Sequence, residues 1–204
     1  MAITYPISLV LAPRHVEFEL QTSAAKSQSR FTKQSQILLH QGDIWLATFE
    51  YPPMVRADAE ELIGRLLSLR GTFGTFLLGP TGAAKTPRGI ATGFPLVNGA
   101  GQTGYTLLTK DWTAGQTGIV KIGDWLSFGT SVEHLYKVAQ DADSDGSGLA
   151  TIELCNRIRV ATTDNDPISL NSPMGTFRLA NPAQRFSVNQ AQHYGLVIEA
   201  EEAL

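Results

Sequence analysis

Three short stretches of the chain hold residue types that could bind a metal ion or a phosphate. Stretch 141–148 reads DADSDGSG and places Asp141, Asp143 and Asp145 before a glycine, which is how an EF-hand calcium loop begins. The bidentate glutamate of such a loop belongs at position twelve, where this chain has Ile152. An EF-hand also joins two helices, whereas the flanking HLYKVAQ and LATIELC alternate like paired strands. The stretch is predicted to be a solvated hairpin loop, and weak or incidental cation binding is the alternative.

Two glycine-rich stretches resemble nucleotide-binding motifs. In GPTGAAKT, residues 79–86, Ala84 stands where the Walker pattern requires glycine. Pro87 and Pro95 follow it and prevent the helix whose N-terminal amides would hold a phosphate. The second stretch, GAGQTG at 99–104, matches G-x-G-x-x-G but leads into YTLLT, a sequence that favours a strand. Both stretches are therefore interpreted as turns.

The remaining polar residues show no catalytic arrangement. The four histidines stand singly on predicted strands or turns, without the i, i+4 spacing of a zinc site; they are His15, His40, His134 and His193. No G-x-S-x-G elbow is present. Glu60–Glu61 and Glu201–Glu202 are interpreted as a first helical turn and a solvated tail. The chain is predicted not to be an enzyme and to hold no metal or cofactor.

The single cysteine and the tryptophans are expected to serve packing. Cys155 lies in an apolar strand pattern and is predicted to be a small core residue. Trp45, Trp112 and Trp125 could line a sugar site, but are predicted to be core or interface anchors.

Composition indicates ordinary globular material. The chain has 204 residues, 43% of them hydrophobic and 17% charged, with a net charge of -3. This net charge gives the protein no overall positive potential that would attract nucleic acid. The early apolar run lacks a basic leader and is interrupted by Pro6 and Pro13, so we expect no membrane segment and assembly in the cytoplasm.

The elements that position these residues are mostly strands. Val16, Phe18 and Leu20 alternate with polar residues, which predicts a half-buried strand. In IWLATFEY both faces are largely apolar, which indicates cover by a helix or by a neighbouring subunit. Trp45, Phe49 and Tyr51 are therefore candidates for a subunit interface.

One helix is predicted. In VRADAEELIGRLLSLRG, acidic residues come early and arginines late, and Gly71 stands at the end; this order suits the helix dipole and a C-terminal stop. Its apolar stripe is expected to pack on the sheet, and the stripe comprises Val55, Ala59, Leu62, Ile63, Leu66 and Leu69.

From Pro80 onward the chain becomes glycine-rich, with turn signals at short intervals. The fold class is predicted to be mainly β with one α-helix: a belt-type sheet plus helix, with an inserted small antiparallel β-barrel or sandwich lobe. We assign residues 1–80 to the belt, completed by 169–204, and residues 81–168 to the lobe.

The second half of the chain resembles a family of phage proteins. The sequence GDWLSFG, then HLYKVAQDADSDGSGLATIEL, NRIR and GTFRLANPAQRFSVNQAQHYGLVIEAEEAL are similar to distal tail proteins of long non-contractile-tailed phages and related prophage minor tail proteins. The strand at 175–180 and the closing stretch 194–204 match best, and NRIR departs from a commoner proline-containing version. The resemblance covers residues 86–204, and the part before it agrees in layout.

This resemblance implies a structural role in the virion. Proteins of this class form a ring, expected to be a hexamer, that joins the tail tube to the baseplate hub or tip and leaves a lumen for DNA, which passes without specific binding. The hairpin loop with Asp143 and Asp145 is a second interface candidate because it could protrude toward a neighbour. A carbohydrate- or receptor-binding tail module, with the lobe as the reader, is the alternative.

Overall fold

The computed structural model of the protein describes residues 3–9, 11–129, 132–183, 187–188 and 194–203. Its described part is mainly β with one α-helix, as the sequence predicts. In chain order the elements are β1 (Ile7–Ser8), β2 (His15–Gln21), β3 (Ala24–Gln28), β4 (Ser35–Leu39), β5 (Ile44–Met54), α1 (Arg56–Ser68), β6 (Thr75–Leu78), a 3-10 turn (Gly82–Lys85), β7 (Gly93–Val97), β8 (Gly104–Trp112), β9 (Trp125–Phe128), β10 (His134–Lys137), β11 (Ala150–Ile158), β12 (Gly175–Leu179), β13 (Ser187–Val188) and β14 (Tyr194–Glu202).

The main sheet takes its strands from both ends of the chain. Its seven strands run in the order β1-β6-β12-β14-β5-β2, with β13 added to β14. As predicted, the last strands pair with the first ones: β14 lies antiparallel between β5 and β12, and β12 pairs with β6. Residues alternate along β2 and β5 between the core face and the other face of this sheet.

Helix α1 covers the core face of the main sheet. Ala59, Leu62, Ile63 and Leu66 are buried against it, and they lie three or four residues apart because the helix presents one face to the sheet. Val55, which was expected to belong to this stripe, is exposed. The helix ends before Arg70 and Gly71, which both have positive φ.

A second hydrophobic core lies within residues 97–170. It is enclosed by a three-stranded sheet, β11-β8-β7, and a two-stranded sheet, β10-β9. No sheet in the described part of the chain closes into a barrel, so this lobe consists of small open sheets. In the same described residues, no helix is long and apolar enough to cross a membrane.

Leu62→Ala is expected to lower the free energy of unfolding by about 2–5 kcal/mol, because it leaves a cavity between the helix and the sheet. Leu67→Ala is the matched control, since Leu67 lies on the same helix and is 53% exposed; its effect should stay within about 0.5 kcal/mol. Urea denaturation of the two variants measures the difference. Equal losses would show that α1 does not pack as described.

Candidate assembly surface

An exposed antiparallel ribbon, which we call the arm, spans residues 21–42. Strands β3 and β4 pair only with each other, from Ala24 opposite Leu39 to Gln28 opposite Ser35. The arm extends the β2–β5 pair away from the main sheet, and its paired strands alone span about 17 Å. All of its residues are exposed, so it has no core of its own.

The arm carries large apolar side chains in water. Phe31, at its tip, is 98% exposed, and Ile37, Leu38 and Leu39 lie in β4 with more than half of their surface exposed. Large apolar side chains exposed together on one element of a folded protein mark an interaction site. A two-stranded ribbon is also marginally stable alone, so packing against a partner would stabilise it.

The root of the arm is attached to the lobe. Asp43, at the start of β5, is buried, and its Oδ2 accepts a hydrogen bond of 3.0 Å from the hydroxyl of Tyr105 in β8. The Arg157 guanidinium lies 5.9 Å from the Tyr105 ring centre. Burial and the nearby Asp43 carboxylate raise the pKa of Tyr105, which keeps the hydroxyl protonated as a donor. The arm therefore leaves the molecule from a fixed point.

The tip of the arm is an ordered turn. The Ser29 hydroxyl accepts hydrogen bonds from the backbone N–H groups of Phe31 and Thr32, and Lys33 adopts a positive φ. These local bonds hold Phe31 at the end of the ribbon.

The aromatic residues proposed from the sequence as interface candidates lie in the core of this chain. Trp45, Phe49 and Tyr51 are each at most 5% exposed, because they occupy the face of β5 that α1 and the lobe cover. The sequence of IWLATFEY predicted that both faces of this strand are covered, and on this face the covering segments belong to the same chain. These three side chains are therefore buried within this chain, and the arm is an exposed apolar surface that sequence reasoning did not single out.

Burial gives the Tyr51 hydroxyl an unusual environment. It has no hydrogen-bond partner among the described residues, and burial raises its pKa. Tyr51 packs edge-on against Phe49, with ring centres 5.9 Å apart.

A buried carboxylate joins the main sheet to the lobe. Glu202, on the core face at the end of β14, is 4% exposed. Its Oε2 accepts a hydrogen bond of 2.8 Å from Arg159, and its Oε1 lies 3.5 Å from Nδ1 of His134. The backbone N–H of Trp45 also donates to Oε2, at 3.3 Å. The sequence interpretation of Glu201–Glu202 as a solvated tail is wrong for Glu202, since strand alternation turns it inward.

Aromatic rings pack beside this carboxylate. The rings of Trp45, from the main sheet, and Trp125, from the lobe, have centres 5.0 Å apart. Phe18 lies 5.1 Å from Trp125, and the Trp45 indole N–H donates to the carbonyl of Leu135. The ion pair and the rings together form a continuous contact between sheet and lobe.

The acidic stretch 141–148 is a loop whose carboxylates bind its own and neighbouring backbone. Asp143 accepts a hydrogen bond of 2.6 Å from the N–H of Gly118, and Asp145 accepts from the N–H groups of Ser147 and Leu149. Asp141 accepts from the N–H of Ile122, and this bond, with Lys121 beside it, lowers its pKa. The loop is an exposed part of the lobe, so its candidacy as an interface stays a prediction.

The strands around this loop are not a hairpin. The first four residues of HLYKVAQ form β10, which pairs with β9, and LATIELC forms most of β11, which pairs with β8. The two segments are linked by an isolated antiparallel bridge, Val138 to Leu154, and by a backbone hydrogen bond from Ala139 to Glu153. The expected pairing of the flanking segments is thus limited to this bridge, because the loop crosses from one small sheet to the other.

Asp124 has a comparable structural role that sequence reasoning missed. It is buried, and its carboxylate accepts backbone hydrogen bonds from Arg88, Gly89 and Lys121. It thereby fixes the chain after the GPTGAAKT stretch, where Gly82–Lys85 forms one 3-10 turn and no α-helix follows before Gly93. In the sequence, the Gly123–Asp124 pair was the signal that could have predicted this turn and its buried carboxylate.

Other residues singled out from the sequence have structural positions. Trp112 and Trp125 are buried, so neither ring can stack on a sugar from solvent. Cys155 is exposed, which corrects the prediction of a core position, because Leu154 and Asn156 take the inward places of β11. His134 is buried beside Glu202, whereas His193 lies outside the described residues.

The described side chains form no group of three or more His, Cys, Asp or Glu residues placed to hold a metal ion. A comparison with protein-family models finds no match, and a comparison with curated protein sequences finds none either.

Glu202→Gln is expected to lower the free energy of unfolding by about 3 kcal/mol, because it leaves the Arg159 side chain, which is only 13% exposed, without a counter-charge. Glu201→Gln, one residue away on the other face, should change it by less than about 0.5 kcal/mol. Chemical denaturation followed by tryptophan fluorescence measures both. Similar losses in the two variants would contradict the assignment.

Calcium is expected to leave the melting temperature of the protein unchanged, because backbone N–H groups already occupy the carboxylates of the 141–148 loop. Asp143→Ala should cost about 1 kcal/mol through the lost hydrogen bond to Gly118, with or without calcium. Calorimetric titration and thermal melts check this. A rise in the melting temperature that Asp143→Ala abolishes would establish a calcium site.

Proposed function

We propose that the chain is a structural protein of a phage tail that assembles into a ring, expected to be a hexamer. The ring joins the distal end of the tail tube to the baseplate hub or tip and leaves a lumen through which DNA passes without specific binding. The protein then acts in the virion by assembly, without catalysis.

The arm is the observation that carries this proposal. It holds Phe31 and three large residues of β4 in water, and the Asp43–Tyr105 bond attaches its root to the folded body. A monomer would gain nothing from keeping this surface exposed, whereas a subunit of an assembly buries it against a neighbour.

The geometry of the arm favours a ring. The arm and the surface that it would meet are different parts of the chain, so an arm contact that the partner's arm does not return is heterologous. Such contacts repeat head to tail and close into a ring when the rotation allows. The sequence resemblance to distal tail proteins supports a ring at the end of a tail tube in particular.

The test is the mass and symmetry of the purified assembly. We expect light scattering to give six times the 22.1 kDa chain and negative-stain images to show rings. Replacing residues 24–39 by Asn-Gly should yield a folded monomer, because every removed residue is exposed and the dipeptide closes a two-residue hairpin.

The far-ultraviolet circular dichroism and melting temperature of the shortened protein provide the folding control. A wild-type protein that stays monomeric at high concentration and in the presence of tail tube and hub proteins would refute the proposed function.

A further inference from the structure

The arm is a basic surface. Between Thr22 and Gln41 the chain has Lys26, Arg30 and Lys33 and no acidic residue. None of these three cations forms an ion pair with any described residue. Their charges are therefore free to meet a partner of opposite sign.

One face of the arm combines charge with apolar surface. Lys26 lies directly opposite Ile37, and Ala24 lies opposite Leu39. Residues that are paired in this way, or two apart on one strand, point to the same side of a ribbon. Lys26, Ile37 and Leu39 thus form a single basic and apolar face.

The face of the main sheet that points away from α1 has the opposite charge. We call it the acidic face, and strand register arranges it in three rows across β2, β5 and β14. The rows are His15, Glu50 and Val197; Glu17, Thr48 and Glu199; and Glu19, Leu46 and Glu201. Arg178 of β12 lies opposite Glu201.

The five carboxylates of the acidic face have no ionic partner. No ion pair in the described part of the chain involves Glu17, Glu19, Glu50, Glu199 or Glu201. Clustered like charges on neighbouring strands repel one another, so a cationic partner would relieve this repulsion.

The acidic face also carries apolar side chains between its carboxylates. Val197 in the first row is 59% exposed, and Leu46 in the third row is half-buried on the neighbouring strand. Apolar side chains flanked by carboxylates match the arm, where Ile37 and Leu39 lie on the same face as Lys26. Interfaces commonly combine an apolar core with a charged rim of complementary sign.

We propose that the arm of one copy docks on the acidic face of the next copy. The inference rests on the proposed function, because it specifies the contact that repeats around the ring. Ile37 and Leu39 pack against the exposed Val197, while the arm cations approach the surrounding carboxylates. The arm extends away from its own body with all of its residues exposed, so the acidic face that it meets belongs to another copy.

Two charge-reversed variants test the contact. The first carries Lys26→Glu, Arg30→Glu and Lys33→Glu on the arm, and the second carries Glu17→Lys, Glu19→Lys and Glu50→Lys on the acidic face. Each variant alone should associate at least about 100-fold more weakly than the wild type, because like charges then meet at every contact. High salt should reduce the difference in association strength between each variant and the wild type, because it screens the charges.

Mixing the two variants is the decisive measurement. The acidic arm of the first fits the basic face of the second, and the basic arm of the second fits the acidic face of the first. An equimolar mixture should therefore recover rings in which the two variants alternate, which native mass spectrometry detects as equal numbers of each.

A matched control reverses three exposed acids on α1. Asp58→Lys, Glu60→Lys and Glu61→Lys change the net charge as much as the face variant does but should leave assembly unchanged. Melting temperatures establish that all variants fold.

The inference is overturned if the face variant assembles like the wild type, or if two folded variants fail to combine while the wild type forms rings. Face-reversed rings that bind DNA where wild-type rings do not would assign this face to the wall of the lumen and also overturn docking. In each case the wild-type ring leaves the proposed function intact. A wild type that forms no assembly refutes the proposed function itself, and docking with it.

Discussion

The buried carboxylate of Glu202 is the interaction on which the arrangement of sheet and lobe depends. It brings a negative charge to the core face of the main sheet, where it requires a cation, and Arg159, the residue that directly follows β11, supplies one at 2.8 Å. Because an unpaired buried charge is costly, the sheet and the lobe have one favourable arrangement. The contact between Trp45 and Trp125 follows from it. So does the bond between Asp43 and Tyr105, since Tyr105 belongs to β8, which pairs with the strand that directly precedes Arg159.

This dependence extends to the arm. A ribbon without a core would move freely on a flexible root, but here the first residue after the arm is held by the lobe through Asp43. The arm therefore starts from a defined place on a body that Glu202 has already ordered. A heterologous ring needs the arm to leave each subunit at a defined position, because a small angular error at each contact accumulates around the ring and prevents closure. The lobe thus has a structural use in the proposed assembly, whatever else it contacts.

Acidic residues divide between two uses in this protein. Asp124, Asp141, Asp143 and Asp145 satisfy backbone N–H groups in the lobe, and this local use resembles a metal-binding pattern in sequence because both need oxygen atoms at short spacing. The glutamates of the acidic face, by contrast, form no ion pair with the described residues. Sequence spacing cannot separate the two uses, since both place acids at alternate positions. Tertiary structure separates them by what lies opposite.

The sequence by itself determined the fold class, the helix and the half-buried β2, because the periodicity of apolar residues reports which side of an element is buried. It also indicated the pairing of the last strands with the first, through the order of the elements along the chain. It also excluded a Walker loop at 79–86 through its prolines. Only the tertiary structure decided that the lobe and α1 bury Trp45, Phe49 and Tyr51. It also decided that Glu202 points inward and Cys155 outward. Residues 21–42 remain exposed for the same kind of reason. The physical reason is that burial depends on which segments meet. The sequence of β4, with its run of Ile37, Leu38 and Leu39, is as apolar as a core strand, and it remains exposed only because no other segment of the described chain packs on it.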